Sequence, residues 1–187
     1  MTTEIYFVRH AHSIYTPDEL NRPLSEKGRR DAARACALLS QRNITRVISS
    51  PYQRAIQTVQ GVADEYELDI ELREDLRERL LSTVPVDDFA ASIEKVWSSP
   101  SIALEGGESN MEAQARGARA VKDILETYPG QNIVLGTHGN IMVLIMNYFD
   151  TQFDFAFWKK LDMPDIYKVS FSGGQLAGTE RLWVQPD

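Results

Sequence analysis

At 187 residues, with 43% hydrophobic and 25% charged, the chain is long enough for one domain with a proper core and has an ordinary globular composition. Its net charge of −7 speaks against a general nucleic-acid or anionic-membrane binder, since both need a positive field. The N-terminus lacks the basic-then-apolar pattern of a signal peptide, IMVLIM (141–146) is too short to span a bilayer, and the single cysteine, Cys36, excludes an internal disulfide, so a cytoplasmic location is expected.

EIYFV (4–8) reads as a short buried strand rich in aromatic and β-branched residues. After a loop with Pro17 and Pro23, Ser25 is a suitable N-cap and Leu24 a staple for a helix with Ala32, Ala35, Cys36 and Leu39 on one face. ITRVISS (44–50) is a second strand. The next helix has Pro51 near its first turn and Ala55, Ile56, Val59 and Val62 on one face. DIELRED (69–75) reads as a third strand. Residues 79–110 are less regular, with a helix in VDDFAASIEKVW and a glycine turn in EGGES. A long amphipathic helix (110–128) ends at Pro129-Gly130, and NIVLGTHG (132–139) is a fourth strand running into a turn. The apolar helix IMVLIMNYF follows, with Met142, Ile145 and Met146 expected in the core, and then a helix in FDFAFWKKL. A hairpin of IYKVSF and ERLWV across SGGQLAG closes the chain. Strands alternating with helices predict an α/β fold, a three-layer α/β/α sandwich around a mostly parallel sheet, in one domain over 1–187.

In such sheets ligands bind beyond the carboxyl ends of the strands. Arg9-His10, Ser49-Ser50 with Arg54 just beyond, and Thr137-His138 all follow predicted strand ends. If they converge, two guanidiniums and two imidazoles concentrate positive charge on an acidic protein. Arginine's planar fork matches phosphate oxygens. Neighbouring cations disfavour imidazolium, which keeps a histidine neutral and nucleophilic. Such an imidazole attacks phosphorus to form phosphohistidine, while the arginines and second histidine stabilise the equatorial oxygens. A carboxyl group must then protonate the leaving oxygen and later deprotonate water, and Glu78 in LRERL is the best placed.

VRHAHS, RPLSEKG, SSPYQRAIQT, LRERL, GGES and GTHGN occur in an order that resembles the histidine phosphatase superfamily, in its phosphoglycerate-mutase-like branch (branch 1). The resemblance covers residues 4 to about 145. It implies a phosphoglycerate-mutase-like fold. It matches His10 to the phosphorylated histidine, Arg9, Arg54 and His138 to the phosphate pocket, and Glu78 to the proton donor. Ser13 matches a hydroxyl residue that helps bind phosphate, and Gly139 and Asn140 fall where substrate contacts are common. Arg22, in RPLS, reaches the phosphate or substrate or is an exposed loop arginine. The sequence departs from the pattern at Ala11, where glycine is usual, and at Thr16, where the mutases have asparagine. Residues 79–110 are also short against the mutases' substrate loop. That favours a metal-independent phosphomonoesterase without cofactors, acting on a small phosphorylated substrate or a phosphoprotein. The alternatives are a phosphoglycerate mutase with the same phosphohistidine chemistry and a non-catalytic phosphate-recognition module.

Rival readings attach to several residues. His10 and His12 alternate on a strand and with His138 would make a metal triad, but no aspartate follows at close spacing and the arginines repel a cation. Cys36 and Arg42 have the spacing of a cysteine-phosphatase loop, yet ALLSQ between them is helical and lacks glycine, so Cys36 belongs in the core. Glu108 in GGES is the rival acid to Glu78. His12 faces substrate, faces solvent or is held by a structural hydrogen bond. Specificity is expected from 79–110 and the His12–Arg22 loop, with Tyr15, Phe89 and Trp97 as contacts.

Overall fold

The structure is a computed structural model, which describes residues 1–184. Six strands form one sheet in the order β3-β2-β4-β1-β5-β6. β1 (Thr2–Arg9), β2 (Arg46–Ser49), β3 (Ile70–Leu72) and β4 (Asn132–Thr137) run parallel, while β5 (Asp165–Ser172) and β6 (Gln175–Arg181) are antiparallel additions beyond β1.

The alternation of the strands divides the core into two. Ile5, Phe7, Ile133 and Leu135 face one side, where α4 (Asn110–Thr127) and α5 (Gly139–Phe149) cover them. Tyr6, Val8, Val47 and Val134 face the other, under α1 (Glu26–Leu39) and α2 (Gln53–Glu65). The result is an α/β/α sandwich around a mostly parallel sheet, as expected. α3 (Phe89–Ser98) and the short α6 (Phe155–Trp158) complete the helices, and Trp97 and Trp158 pack on the α4–α5 side. Met142, Ile145 and Met146 are buried as predicted. Ser25 caps α1, its hydroxyl accepting from Gly28 N at 3.0 Å, with Leu24 buried against Ala11 and Ala32.

Three boundaries differ from the sequence reading. The third strand stops at Leu72, and a 3-10 turn at Glu74–Leu76 drives Leu76 into the core, which a continued strand would not do. The last hairpin turns at Gly173-Gly174 alone, both with positive φ (58° and 76°), as a two-residue connection matched to strand twist requires. The loop assigned to SGGQLAG is therefore mostly strand, and Leu182 and Trp183 leave the sheet to fill the α1–α2 side of the core. In FDFAFWKKL only Phe155–Trp158 are helical, with Asp154 capping Phe157 N.

β2, β4 and β1 are adjacent and parallel, and Ser49 aligns with Gly136 as Arg9 does with Thr137. Their carboxyl ends therefore lie along one edge of the sheet, and the residues just beyond them share a site.

Candidate active site

His10 extends the ladder by one residue, its N–H donating to Thr137 O at 2.9 Å. Its Nδ1 lies 2.8 Å from the Ala11 carbonyl oxygen. A carbonyl only accepts, so Nδ1 carries the proton and Nε2 keeps its lone pair. Arg54 Nε donates to that lone pair at 3.2 Å. Burial above all, opposed by the Ala11 carbonyl and aided by Arg54, Arg9 and Arg22, pushes the imidazole pKa down to about 3. Desolvation therefore outweighs the neighbouring cations that the sequence reading invoked.

His138 is the N-cap of α5 and its ring centroid is 5.3 Å from that of His10. Its Nε2 is 2.7 Å from Ser50 Oγ, which also accepts from Tyr52 N at 3.3 Å. His138 Nδ1 is buried without a partner, and in the tautomer where the Ser50 hydroxyl donates to Nε2 it is Nδ1 that carries the proton. Its pKa is held well below the usual histidine value by burial first, then by His10 and the arginines. Tyr52 packs edge-on to His138 and lies under the Arg54 guanidinium.

Two arginines flank His10. Arg9 donates through Nη1 to the carbonyls of Leu161 and Asp162 at 3.3 and 3.0 Å, and its Nε is buried and unpartnered. Gly139 makes this packing possible: a Cβ there would sit 3.0 Å from Arg9 Nε. Arg54, on the first turn of α2, donates through Nη1 to the Glu19 carbonyl at 2.8 Å and meets the Glu19 carboxylate at 3.3 Å. The same carboxylate pairs with Arg22 at 2.8 Å. Ser13 and His12 line the pocket from the loop after β1; Ser13 bridges to Leu24, and His12 Nδ1 meets Ser25 Oγ at 2.8 Å.

Glu78 reaches the site from the segment after the 3-10 turn. Its carboxylate accepts from Arg79 N and Ile141 N at 2.9 Å and from Asn140 N at 3.1 Å, which fixes it at the N-terminus of α5. Glu108 lies elsewhere. It forms a two-point pair with Arg116 at 2.8 and 2.7 Å, and Arg116 also donates to the carbonyls of Asp75 and Arg77. The pair braces the segment that carries Glu78.

Arg9, His10, His12, Ser13, Arg22, Arg54, Glu78, Gly139 and Asn140 all line one pocket of about 600 Å³, with His138 buried directly behind it. Tyr15 and Phe89, 78% and 59% exposed, stand at its mouth as expected. Trp97 does not. It lies in a neighbouring cavity and donates to Asn140 Oδ1 at 3.3 Å. Cys36 is half-buried beside Gly61 of α2 and packs on the core, and burial raises its thiol pKa, the opposite of an activated thiolate. Among the described residues no three His, Cys, Asp or Glu side chains are arranged to hold a metal ion, and no helix is long and apolar enough to cross a membrane.

The family model for the histidine phosphatase superfamily (branch 1) matches residues 5–181. The chain belongs to that superfamily. A phosphoglycerate mutase-like protein 4 from Arabidopsis thaliana is 31% identical over 155 residues, covering 74% of this chain and 67% of the relative. Among solved structures, a mycobacterial glucosyl-3-phosphoglycerate phosphatase superposes with a TM-score of 0.78 at 20% identity, over 98% of this chain and 99% of the other. A phosphoserine phosphatase from Entamoeba histolytica in complex with 3-phosphoglyceric acid does so with 0.79 at 19%, over 98% of each. The fold of this superfamily member is thus that of phosphoglycerate-mutase-like histidine phosphatases.

Sequence reasoning gave no role to four residues of the site, although it placed Ser50 just beyond a strand end. Ser50 and Tyr52 fix His138, and Glu19 neutralises two arginines; nothing in an isolated serine, tyrosine or loop glutamate reveals such roles. Arg79 is the fourth. It is 4% exposed, lines the pocket, and has Nε and Nη1 buried without partners. Burial lowers its pKa, opposed by Glu78 and Glu108. Its adjacency to Glu78 in LRERL was the available signal.

Proposed function

We propose that this superfamily member is a phosphomonoesterase that works through a phosphohistidine at His10. The observation that carries the reading is the buried neutral imidazole: its Nδ1–H is tied to Ala11 and its Nε2 lone pair faces Arg54. A phosphoryl dianion entering the pocket takes over the N–H donors of Arg54, Arg9 and Arg22, and Nε2 attacks phosphorus in line. Donors from Arg9, Arg54 and His138 Nδ1 stabilise charge on the equatorial oxygens. The P–O bond breaks as Glu78 gives its proton to the leaving oxygen. Glu78 then takes a proton from water, whose oxygen attacks the phosphohistidine, releasing inorganic phosphate and restoring Nε2. The steps use no metal or cofactor.

The substrate is a small phosphorylated acid. Arg79 supports this, since it lines the pocket and its guanidinium makes no hydrogen bond or ion pair among the described residues, beside phosphate ligands already supplied. The phosphatase relatives whose names include glucosyl-3-phosphoglycerate and phosphoserine fit the same class. Residues 79–110 act as the specificity segment through Arg79, Leu81, Phe89 and Ile93. The exposed mouth at Tyr15 and Phe89 admits water and favours hydrolysis over the mutase reading, which must return the phosphoryl group to substrate.

Trapping with a radiolabelled phosphomonoester, quenched in alkaline detergent, tests the mechanism. Label stable to alkali and labile to acid is expected on the wild type and absent from His10→Ala, whose kcat falls by about 10³-fold or more. Full turnover by His10→Ala would overturn it. Assay of 3-phosphoglycerate with and without bisphosphoglycerate separates hydrolysis from isomerisation.

A further inference from the structure

Asn140, on the first turn of α5, is 9% exposed and lines the His10 pocket. Its backbone N–H donates to Glu78, and the same carboxylate accepts from Arg79 N. Asn140 and Arg79 therefore flank the group that, on the proposed mechanism, protonates the leaving oxygen, which puts both residues at the leaving-group end of the pocket. The Asn140 carboxamide is held from outside it. Trp97 of α3, which lines the neighbouring cavity and not this pocket, donates through Nε1 to Asn140 Oδ1 at 3.3 Å.

An asparagine amide keeps its shape when turned over, so packing alone leaves open whether it offers a donor or an acceptor. An indole settles this, because its Nε1–H only donates and must face Oδ1. The indole is itself fixed: its ring stacks on Phe155 at 5.8 Å and 27°, Phe155 stacks on Trp158 at 5.6 Å, and Trp97 packs against the core. Asn140 Nδ2 makes no hydrogen bond among the described residues and, unlike Arg79 Nε and Nη1, is not among the unpaired nitrogens closed off from solvent. That open surface lies in the His10 pocket, since Asn140 lines it and not the neighbouring cavity. With the amide reversed, two donors would oppose each other and Oδ1 would face the pocket beside Glu78.

We propose that Trp97 is a positioning residue that sets the polarity of the leaving-group end of the pocket. By holding Oδ1 it turns Asn140 Nδ2 toward the substrate, and Nδ2 donates there to a carboxylate or hydroxyl oxygen of the leaving group. Arg79 supplies the charge and Asn140 the direction. A leaving group that ends in an ammonium meets two donors at that place, Arg79 and Asn140, and is disfavoured. The inference rests on the phosphomonoesterase reading for which end of the substrate meets Glu78, and it adds a residue outside the pocket to those that select the substrate.

Calorimetric titration of the His10→Ala chain, which on the proposed mechanism does not turn substrate over, with 3-phosphoglycerate and with O-phosphoethanolamine tests it. The readout is the ratio of the two dissociation constants, because the phosphate is common to both ligands. 3-Phosphoglycerate is expected to bind the tighter. Asn140→Leu should cut that preference about tenfold, the value of one lost hydrogen bond to a charged group. Trp97→Phe keeps a ring but loses the N–H, which frees the amide to turn, and should cut it about three- to tenfold. Added to Asn140→Leu, Trp97→Phe should change the ratio no further, since it acts through the carboxamide. Trp97→Met serves in its place should Trp97→Phe not fold, as judged by near-UV circular dichroism. The proposal falls if 3-phosphoglycerate is not preferred, or if the folded Trp97 variant keeps the ratio or weakens both ligands equally, as a merely structural role would. It also falls if the two substitutions act independently. Normal wild-type turnover with unmoved ratios overturns this inference alone, whereas a wild type that hydrolyses no phosphomonoester overturns the phosphomonoesterase reading, on which the calorimetry does not depend.

Discussion

At the residue scale, the site is defined by which hydrogen-bonding groups are satisfied and which are held in reserve. The Glu19 carboxylate pairs with the Arg54 and Arg22 guanidiniums. On the proposed mechanism a phosphate displaces it, so Glu19 would compete with both substrate and product. Glu19→Gln removes the charge but keeps the shape, and the inhibition constant for inorganic phosphate should fall by about threefold, an exposed carboxylate being worth little more. An unchanged or higher constant would show that the pairs do not compete. Arg79 works in the opposite sense, as a donor with spare capacity. Arg79→Met should raise KM for 3-phosphoglycerate or phosphoserine by about 10- to 100-fold, the value of a charge-assisted hydrogen bond or two. For p-nitrophenyl phosphate, which lacks the second anion, KM should stay nearly constant. An equal effect on both substrates would assign Arg79 to the phosphoryl group instead.

At the scale of elements, the C-terminal hairpin reaches into the site through Arg9. The carbonyls that hold Arg9 belong to Leu161 and Asp162, just before β5. Asp165 at the start of β5 is fully buried and fixes that turn, accepting from Asp162 N at 2.9 Å and Ile166 N at 3.0 Å. Burial raises the Asp165 pKa, and Arg181 from β6 opposes this with bonds at 3.0 and 2.8 Å. Removing Arg181 strands a buried carboxylate. Arg181→Met should destabilise by about 2 kcal/mol in urea unfolding, less than a fully buried pair because Arg181 is partly exposed. Asp165→Asn in the Arg181→Met background should recover part of that loss. Equal stability of wild type and Arg181→Met would remove the pair from any structural role. The brace of Arg116 on Glu108, Asp75 and Arg77 does the same for Glu78 on the other side of the site.

At the scale of the molecule, the buried imidazoles couple stability to pH. His10 and His138 are neutral when folded, with pKa values pushed below the ordinary histidine value. The unfolded chain binds protons on both near pH 6.5, so below that pH it holds more protons than the native state. Stability is then fully present above the unfolded value and is lost as pH falls toward the folded one. The two groups together should cost about 2 kcal/mol between pH 7 and 5.5, before the carboxylates titrate. Urea midpoints across that window measure it, and His138→Gln should make the dependence shallower. A wild-type stability flat over the window would contradict neutral burial of these rings.

The motifs in VRHAHS, SSPYQRAIQT and GTHGN, together with the strand–helix alternation, determined by themselves the layered α/β fold, the superfamily and the residues that gather behind the strand ends. They could do so because those features are local: a period of two or 3.6, a cap, a residue next to a strand terminus. Three-dimensional packing decided the rest. Desolvation, more than charge, keeps His10 neutral, and only burial in the folded chain sets it. Ser50 and Glu19 acquire their roles from contacts with His138 and Arg54 across tens of residues of sequence, as does Trp97, which meets Asn140 in a cavity beside the His10 pocket. A spacing rule cannot see whether a polar atom finds its partner, and it is folding that leaves nitrogens of Arg79 and His138 buried and unpaired beside the pocket.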